Sequence, residues 1–259
     1  MNQVSRKFST NFSGNMNNLK VLHLNIRSLR KNFSDFLTYL HTIPFPDIIV
    51  LSEIWIYESE IDMFSINNYT HYFSCNNDSR SGGIGVYVHN DHCAISACSL
   101  PNMHCNNLFM KIRTQNRDEI HLLSIYRSPS SNEDSFIYNL EQFLQSFNKS
   151  LLVIGDININ ISTNTTNNAL THKYLDMLSS AGLYLLNDGP TRVSINEEHV
   201  SATEIDHCAV RDNNTDLWSC RVVKWSLTDH YALYVTKKMK VPRSTRVKVV
   251  QKLNYDICI

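Results

Sequence analysis

A set of polar side chains stands where the apolar runs of this sequence stop. Asn25 lies near the end of Val21–Ile26, Glu53 follows Asp47–Leu51, Tyr126-Arg127 closes Ile120–Ile125, and Asp156 and Asn158 follow Leu151–Ile154. Asp206-His207 interrupts a later apolar segment, and Asp229-His230 opens the last one. Taken singly, each reads as a solvated strand end or a turn former. Taken together they are chemically complementary. Cleavage of a phosphoester needs a water nucleophile, neutralisation of the charge that builds on phosphorus, and help for the departing oxygen. Glu53 and Asp229 are hard oxygen ligands suited to Mg²⁺, with Mn²⁺ as a substitute, and such an ion neutralises phosphate and leaving-group charge. Asp156 offers a base to orient water, and Asn158 an amide for a phosphate oxygen. His230, oriented by Asp206, becomes a cationic donor to the phosphate, because a neighbouring carboxylate favours the charged imidazole. The Tyr126 phenol adds one more hydrogen bond.

Positioning such a set requires strand ends that converge on one rim. Val21–Ile26 reads as a strand, followed by an amphipathic helix with Leu29, Phe33, Phe36, Leu37 and Leu40 on one face and Pro44 and Pro46 beyond it. Asp47–Leu51 is a buried-type strand that delivers Glu53. Strands are expected at Tyr69–Cys75, Gly82–His89, Leu108–Arg113 and Glu119–Tyr126. Ser131 or Asn132 caps a second helix, whose apolar face is Phe136, Leu140, Phe143, Leu144 and Phe147. Leu151–Ile154 is again a buried-type strand, and a third helix spans Asn168–Ala181 ahead of Gly182. Short strands follow near Tyr184–Leu186, Thr191–Ile195, Glu204–Val210, Arg221–Lys224 and His230–Val235. This order fits an α/β four-layer sandwich, two packed mixed sheets flanked by helices, better than one doubly wound sheet.

Bulk properties agree with one domain. The chain has 259 residues, 42% hydrophobic and 19% charged, enough for a sizeable core. No apolar run reaches the roughly 20 residues of a spanning helix, and the N-terminus lacks a signal-peptide pattern. Seven cysteines, an odd number without a Cys-x-x-Cys pair, favour a reducing intracellular compartment over a disulfide framework. His92, Cys93, Cys98, His104 and Cys105 cluster in sequence, and a zinc site is weighed there against free thiols, which are preferred. The Asn-x-Ser/Thr triplets, as at Asn32 and Asn160, reflect composition. Net charge is zero but uneven: seven of the 24 basic residues lie at Lys237–Lys252, which leaves 17 bases against 23 acids in residues 1–236. Residues 1–18 read as a disordered polar segment, 19–236 as the domain, and 237–259 as a basic tail or linker attracted to phosphate.

Several stretches carry a resemblance. Leu24-Asn25-Ile26-Arg27-Ser28-Leu29, Leu51-Ser52-Glu53, Gly82-Gly83-Ile84-Gly85-Val86, Tyr126-Arg127-Ser128-Pro129, Gly155-Asp156-Ile157-Asn158, Ile205-Asp206-His207 and Leu227-Thr228-Asp229-His230 occur in the order of the endonuclease/exonuclease/phosphatase superfamily, which has a DNase I-like fold. The chain most resembles the endonuclease domain of non-LTR (LINE-type) retrotransposons, which is similar to apurinic/apyrimidinic endonucleases. The likeness runs from about Leu19 to about Tyr234.

The resemblance implies Glu53 as principal metal ligand assisted by Asp229, and Asn25 supporting the metal and water network. It implies Asp156 as base, Asn158, Tyr126 and His230 on the phosphate, and Asp206 behind His230. One position departs: where apurinic endonucleases carry an acid two residues after the Asn, this chain has Arg27, which matches the retrotransposon branch. Arg27, Arg80 and Arg127 are candidate contacts to the DNA backbone, with Arg192 less secure. The implied activity is a Mg²⁺-dependent nick in double-stranded DNA that leaves a 3′-hydroxyl for priming. The implied partner is a reverse transcriptase domain, and the expected place of action is the nucleus. A phosphatase or phospholipase of the same superfamily and an inactive nucleic-acid-binding relic are the competing readings.

Overall fold

The computed structural model describes residues 18–76, 80–162, 168–195 and 200–239. The first part of the chain runs β1 (Asn18–Asn25), α1 (Leu29–Leu40), β2 (Ile48–Ser52), β3 (Tyr69–Ser74) and β4 (Ile84–His89). It continues through β5 (Cys93–Cys98), β6 (Asn106–Arg113), β7 (Glu119–Tyr126), α2 (Glu133–Ser146) and β8 (Leu151–Asp156). The last part holds α3 (Ala169–Ser180), β9 (Tyr184–Leu185), β10 (Arg192–Ile195), β11 (Val200–Thr203), β12 (Asp206–Arg211), β13 (Trp218–Val223) and β14 (Ala232–Lys238).

Two six-stranded mixed sheets form, in the orders β13-β14-β1-β2-β4-β3 and β5-β6-β7-β8-β12-β9, beside a separate β10-β11 hairpin. Each sheet is built around one parallel pair, β1–β2 or β7–β8. A parallel pair needs a crossover, and α1 and α2 supply it. The chain therefore contains two similar β-α-β units, although no repeat is visible in its residues.

Three apolar layers account for the stacking. Leu19, Val21, Ile48, Val50, Leu122 and Ile154 meet between the sheets. Leu22, Leu24 and Leu51 face the other way, onto Phe36 and Leu40 of α1. Leu123 and Val153 of the second sheet pack on Phe136 of α2 and Tyr174 of α3. Helix, sheet, sheet, helix is the four-layer α/β sandwich expected.

Helix ends follow local chemistry. The Asn132 side chain accepts from Ser135 N at 2.8 Å and that of Asn168 from Leu170 N at 3.0 Å, each satisfying an amide that a helix start leaves open. No side chain caps α1. Instead Ser28 N and Leu29 N donate to the carbonyls of Glu53 (2.8 Å) and Ile54 (2.9 Å), so the start of α1 grips the segment that carries Glu53.

Some expectations need adjustment. β5 went unforeseen because its residues are mostly exposed and lack alternation, and β11 because it is a short exposed arm. The domain extends past 236: Lys237 and Lys238 belong to β14, and Lys237 Nζ bonds Asp212 Oδ2 at 2.8 Å. Asn18 likewise belongs to β1. The remainder of the 1–18 segment and of the basic tail lies outside the described residues. No metal-holding cluster forms around Cys93, Cys98 and Cys105 among the described residues, where these thiols are free. Among those residues, no helix is long and apolar enough to cross a membrane.

Candidate active site

Strand direction explains how distant residues meet. β1 and β2 are parallel, so their C-terminal ends share an edge, and Asn25 pairs in register with Ser52, just before Glu53. β14 runs antiparallel to β1, so its N-terminal end, preceded by His230, lies at that same edge. In the second sheet Tyr126 and Asp156 end the parallel β7 and β8 in register, and the antiparallel β12 begins there with Asp206 opposite Asp156. Period-2 alternation turns Leu19, Val21, His23 and Asn25 of β1 to one face. Leu19 and Val21 enter the core between the sheets, while His23 and Asn25 make its last rungs polar. Leu152, Ile154 and Asp156 repeat that pattern on β8.

Asn25 ties the sheets together. Its Nδ2 donates to Glu53 Oε1 at 2.7 Å and to Asp156 Oδ2 at 2.8 Å, so one amide bridges two buried carboxylates. The other Asp156 oxygen accepts from Asn158 N at 3.1 Å. Burial, and then the nearby Asp206 and Glu53 carboxylates, push Asp156 up to about 8 despite the opposing pull of His230 and Asn25. Tyr126 lies against Glu53 and Asp156, and burial together with those charges pushes its phenol well above the ordinary value. The ring of Tyr126 backs onto Gly82, where an added Cβ would come within 3.0 Å of it.

His230 Nδ1 hydrogen-bonds Asp206 Oδ2 at 2.8 Å, with both side chains fully buried. Burial lowers the basicity of His230, but Asp206, Asp156 and Asp229 outweigh it and leave the imidazole above its ordinary value. Asp206 is held below the usual carboxylate range: burial opposes this, and His230 prevails. The outer nitrogen, Nε2, is buried with no hydrogen-bond partner among the described residues. An unmatched buried nitrogen on an imidazole of raised basicity suits an anionic substrate oxygen.

Asp229 and the arginines sit differently from expectation. Arg27 Nε and Arg192 Nε each lie 2.8 Å from one oxygen of Asp229, so two guanidiniums hold the carboxylate expected to assist a metal ion. Arg27 thus stays at the site but as an ion-pair partner. Arg80 is exposed and lies 3.4 Å from Glu60, at the cleft beside Ser28 and Trp55. Arg127 is enclosed by the protein. It is 0% exposed, and its guanidinium donates to the carbonyls of Ile157 (2.7 Å), Asn158 (2.9 Å) and Ser131 (3.1 Å). In return Asn158 Nδ2 donates to Arg127 O at 2.8 Å. A guanidinium with these partners positions the Asp156–Asn158 loop.

Other positioning residues gave no signal as chemistry. Thr191 Oγ1 accepts from Asp206 N at 3.0 Å, and Thr228 Oγ1 donates to Asn25 O at 3.1 Å while accepting from His230 N at 3.0 Å. His23 lies behind the pair with Nδ1 3.8 Å from Asp206 Oδ1 and Nε2 3.3 Å from Ser52 Oγ. Burial holds it down to about 4, hence neutral. Its place was legible in principle, two residues before Asn25 on the same strand face. The backbone is also unusual here: of the nine non-glycine residues with positive φ among the described residues, Arg27, Ser28, Glu53, Trp55 and Asn158 flank the site. Left-handed geometry costs about 1–3 kcal/mol at each such residue and persists where tertiary contacts enforce it.

A divalent cation fits this donor set. Two carboxylates sharing one amide, in a rim where burial and like charge oppose ionisation, are what a hard cation relieves. Asp156, Asp206 and His230 also place ligand atoms within 4.8 Å of one another. However, Asp206 and His230 turn those atoms on each other, so this group is better described as a hydrogen-bonded relay.

Comparison with known proteins agrees with this architecture. The model of the "Endonuclease/Exonuclease/phosphatase family" matches residues 22–230. The chain is similar in structure to the "Endonuclease domain of TRAS1, a telomere-specific non-LTR retrotransposon", at TM-score 0.67 and 18% identity over 86% of this chain and 100% of that one. It is similar to an AP endonuclease from Leishmania major, at TM-score 0.67 and 13% identity over 93% of each chain. A 3′-5′ exonuclease from Neisseria meningitidis gives TM-score 0.67 and 14% identity over 85% of this chain and 100% of that one. No curated protein matches by sequence. At such identities the structural likeness speaks for the fold, and the sequence match spans both β-α-β units and every rim residue described above: the chain belongs to the endonuclease/exonuclease/phosphatase family.

Proposed function

We propose that this protein is a Mg²⁺-dependent DNA endonuclease, with Mn²⁺ as an alternative ion, that hydrolyses one phosphodiester of double-stranded DNA and leaves a 3′-hydroxyl nick. The single observation that carries the reading is the rim where Asn25 bridges Glu53 to Asp156 and His230 presents a buried, unmatched Nε2. Glu53 is the metal ligand this geometry leaves open, and Asp229 joins it only by releasing Arg27. When bound, the ion supplies charge neutralisation at the phosphate and the leaving oxygen.

The chain's own residues do the rest. Asp156, held by Asn25 and by Asn158 N, orients the water and takes its proton as oxygen attacks phosphorus. Its elevated basicity suits that task. His230, kept cationic by Asp206, donates Nε2–H to a non-bridging phosphate oxygen, where charge grows as the water oxygen adds to phosphorus. Tyr126 and the second Nδ2 hydrogen of Asn158 provide further donors. The departing 3′-oxygen takes a proton from solvent, so the products are a 5′-phosphate and a 3′-hydroxyl, the end a reverse transcriptase domain of a retrotransposon would extend. A DNA substrate places the action in the nucleus.

Conversion of supercoiled plasmid to open circles tests the proposal. Nicking is expected with Mg²⁺ and lost with EDTA. Glu53→Ala, Asp156→Ala and His230→Ala should each slow it by about 10²-fold or more with the fold retained by circular dichroism. Hydrolysis of phosphomonoesters alone would end the nuclease assignment, and three variants nicking at the wild-type rate would end the site assignment.

A further inference from the structure

Beside Glu53 the surface opens into a cleft of about 450 Å³, lined by Ser28, Arg30, Trp55, Arg80 and Ser81. Its wall is the segment after β2. Ile54 and Ile56 are buried in the core, so Trp55, between them, is turned outward with 37% of its surface exposed. The backbone there is held in place: Trp55 N donates to Gly82 O at 3.1 Å, Ile54 O accepts from Leu29 N at 2.9 Å, and Trp55 has φ 51°. Tyr57, 40% exposed, carries the Arg80 guanidinium 4.7 Å above its ring. Arg30 and Arg80 both approach one carboxylate, Glu60, whose other oxygen accepts from Tyr57 N at 2.9 Å. Two guanidiniums against one acid leave the cleft a net positive charge.

Trp55 keeps over a third of its surface open, whereas Trp218 and Trp225 are both buried. An exposed aromatic face next to two arginines that share a single acid suits a flat, electron-rich ring linked to an anion. Trp55 lies two residues from Glu53, at most about 7 Å along the chain. That backbone separation, with the indole reaching outward from it, keeps Trp55 within a few nucleotides of the phosphate that Glu53 serves. Within an intact duplex both faces of a base are covered by its neighbours, so only an unstacked base can use the indole.

Building on the nuclease reading, we propose that this cleft is a nucleobase subsite: it takes one unpaired base of the DNA strand, stacked on Trp55, with the adjoining phosphate against Arg30 and Arg80. The enzyme therefore favours sites where the duplex is open or bulged next to the cut.

Trp55 is the exposed tryptophan among three, so intrinsic fluorescence reads the subsite directly. In EDTA, a duplex carrying a single bulged adenine is expected to quench and blue-shift the emission, and a fully paired duplex of the same length to leave it nearly unchanged. Trp55→Phe should abolish the quench and keep affinity for the bulged duplex within a few-fold. Trp55→Ala should weaken that affinity by about 5- to 150-fold, the range that loss of one base–aromatic stack spans. Equal quenching by both duplexes, or wild-type affinity in Trp55→Ala, overturns the subsite while plasmid nicking in Mg²⁺ upholds the nuclease. Absence of both DNA binding and nicking sinks the two together.

Discussion

Replacing Arg127 separates a structural role from a DNA-binding one. Its guanidinium donates two short hydrogen bonds to the loop after β8, at 2.7 Å to Ile157 O and 2.9 Å to Asn158 O. Longer ones reach Ser128 O (3.3 Å), Ser131 O (3.1 Å) and Glu133 Oε1 (3.3 Å). Hydrogen bonds from a charged donor contribute about 1.5–3 kcal/mol each and are not additive. Arg127→Ala also strands the carbonyl of Ile157, a residue with no exposed surface. Relief of the guanidinium's desolvation offsets part of this loss. The net destabilisation is about 3–5 kcal/mol, comparable to breaking a buried charged network. For a domain of this size that lowers the melting temperature by roughly 10 °C. Arg127→Lys keeps the charge but cannot span both loops from a single ammonium, so it should recover less than half of the loss. Thermal melts and urea titrations read stability, and salt-dependent DNA binding reads the contact. If Arg127→Ala melts like the wild type while the slope of log affinity against log salt falls by about one, the residue touches a phosphate and the reasoning is refuted.

Two further outcomes follow from the same rim. A Cβ on Gly155 would lie 1.8 Å from Ile125 O, backbone that cannot yield, so Gly155→Ala should wedge β7 from β8 between Tyr126 and Asp156. It should cost at least about 3 kcal/mol and abolish nicking, and an unchanged urea midpoint would contradict the register. His207 Nε2 donates to Glu204 O at 3.2 Å, which leaves Nδ1 to accept from Tyr174 Oη at 3.0 Å, and burial holds the ring down to about 4 from its ordinary 6.5. The unfolded chain then binds a proton that the folded one refuses. Its contribution, up to about 3 kcal/mol, is complete above pH 6.5 and lost as pH falls toward 4. Urea midpoints measured from pH 7.5 to 4.5 should fall more steeply for the wild type than for His207→Gln, and parallel curves would reject this account.

Periodicity and strand ends determined much of this protein in advance. Val21–Ile26, Asp47–Leu51, Glu119–Tyr126 and Leu151–Ile154 declare buried strands because their apolar runs are local signals. Asn132 and Asn168 declare helix starts because capping is a contact a few residues long. The polar residues ending those runs, Asn25, Glu53, Tyr126 and Asp156, were therefore readable as rim residues, and their order carried the family.

What only the tertiary structure decided concerns partners distant in sequence. Arg127 next to Tyr126 looks like an exposed cation until β8 is laid beside β7 and the carbonyls of the loop after it close over the guanidinium. Asp229 looks like an unpaired acid until Arg27 and Arg192, from two other segments, arrive at its oxygens. His23 looks like one more strand residue until Asp206 comes within 3.8 Å. Burial and charge pairing are properties of the packed chain, so the protonation of Asp156 and the orientation of His230 exist only once the two sheets meet.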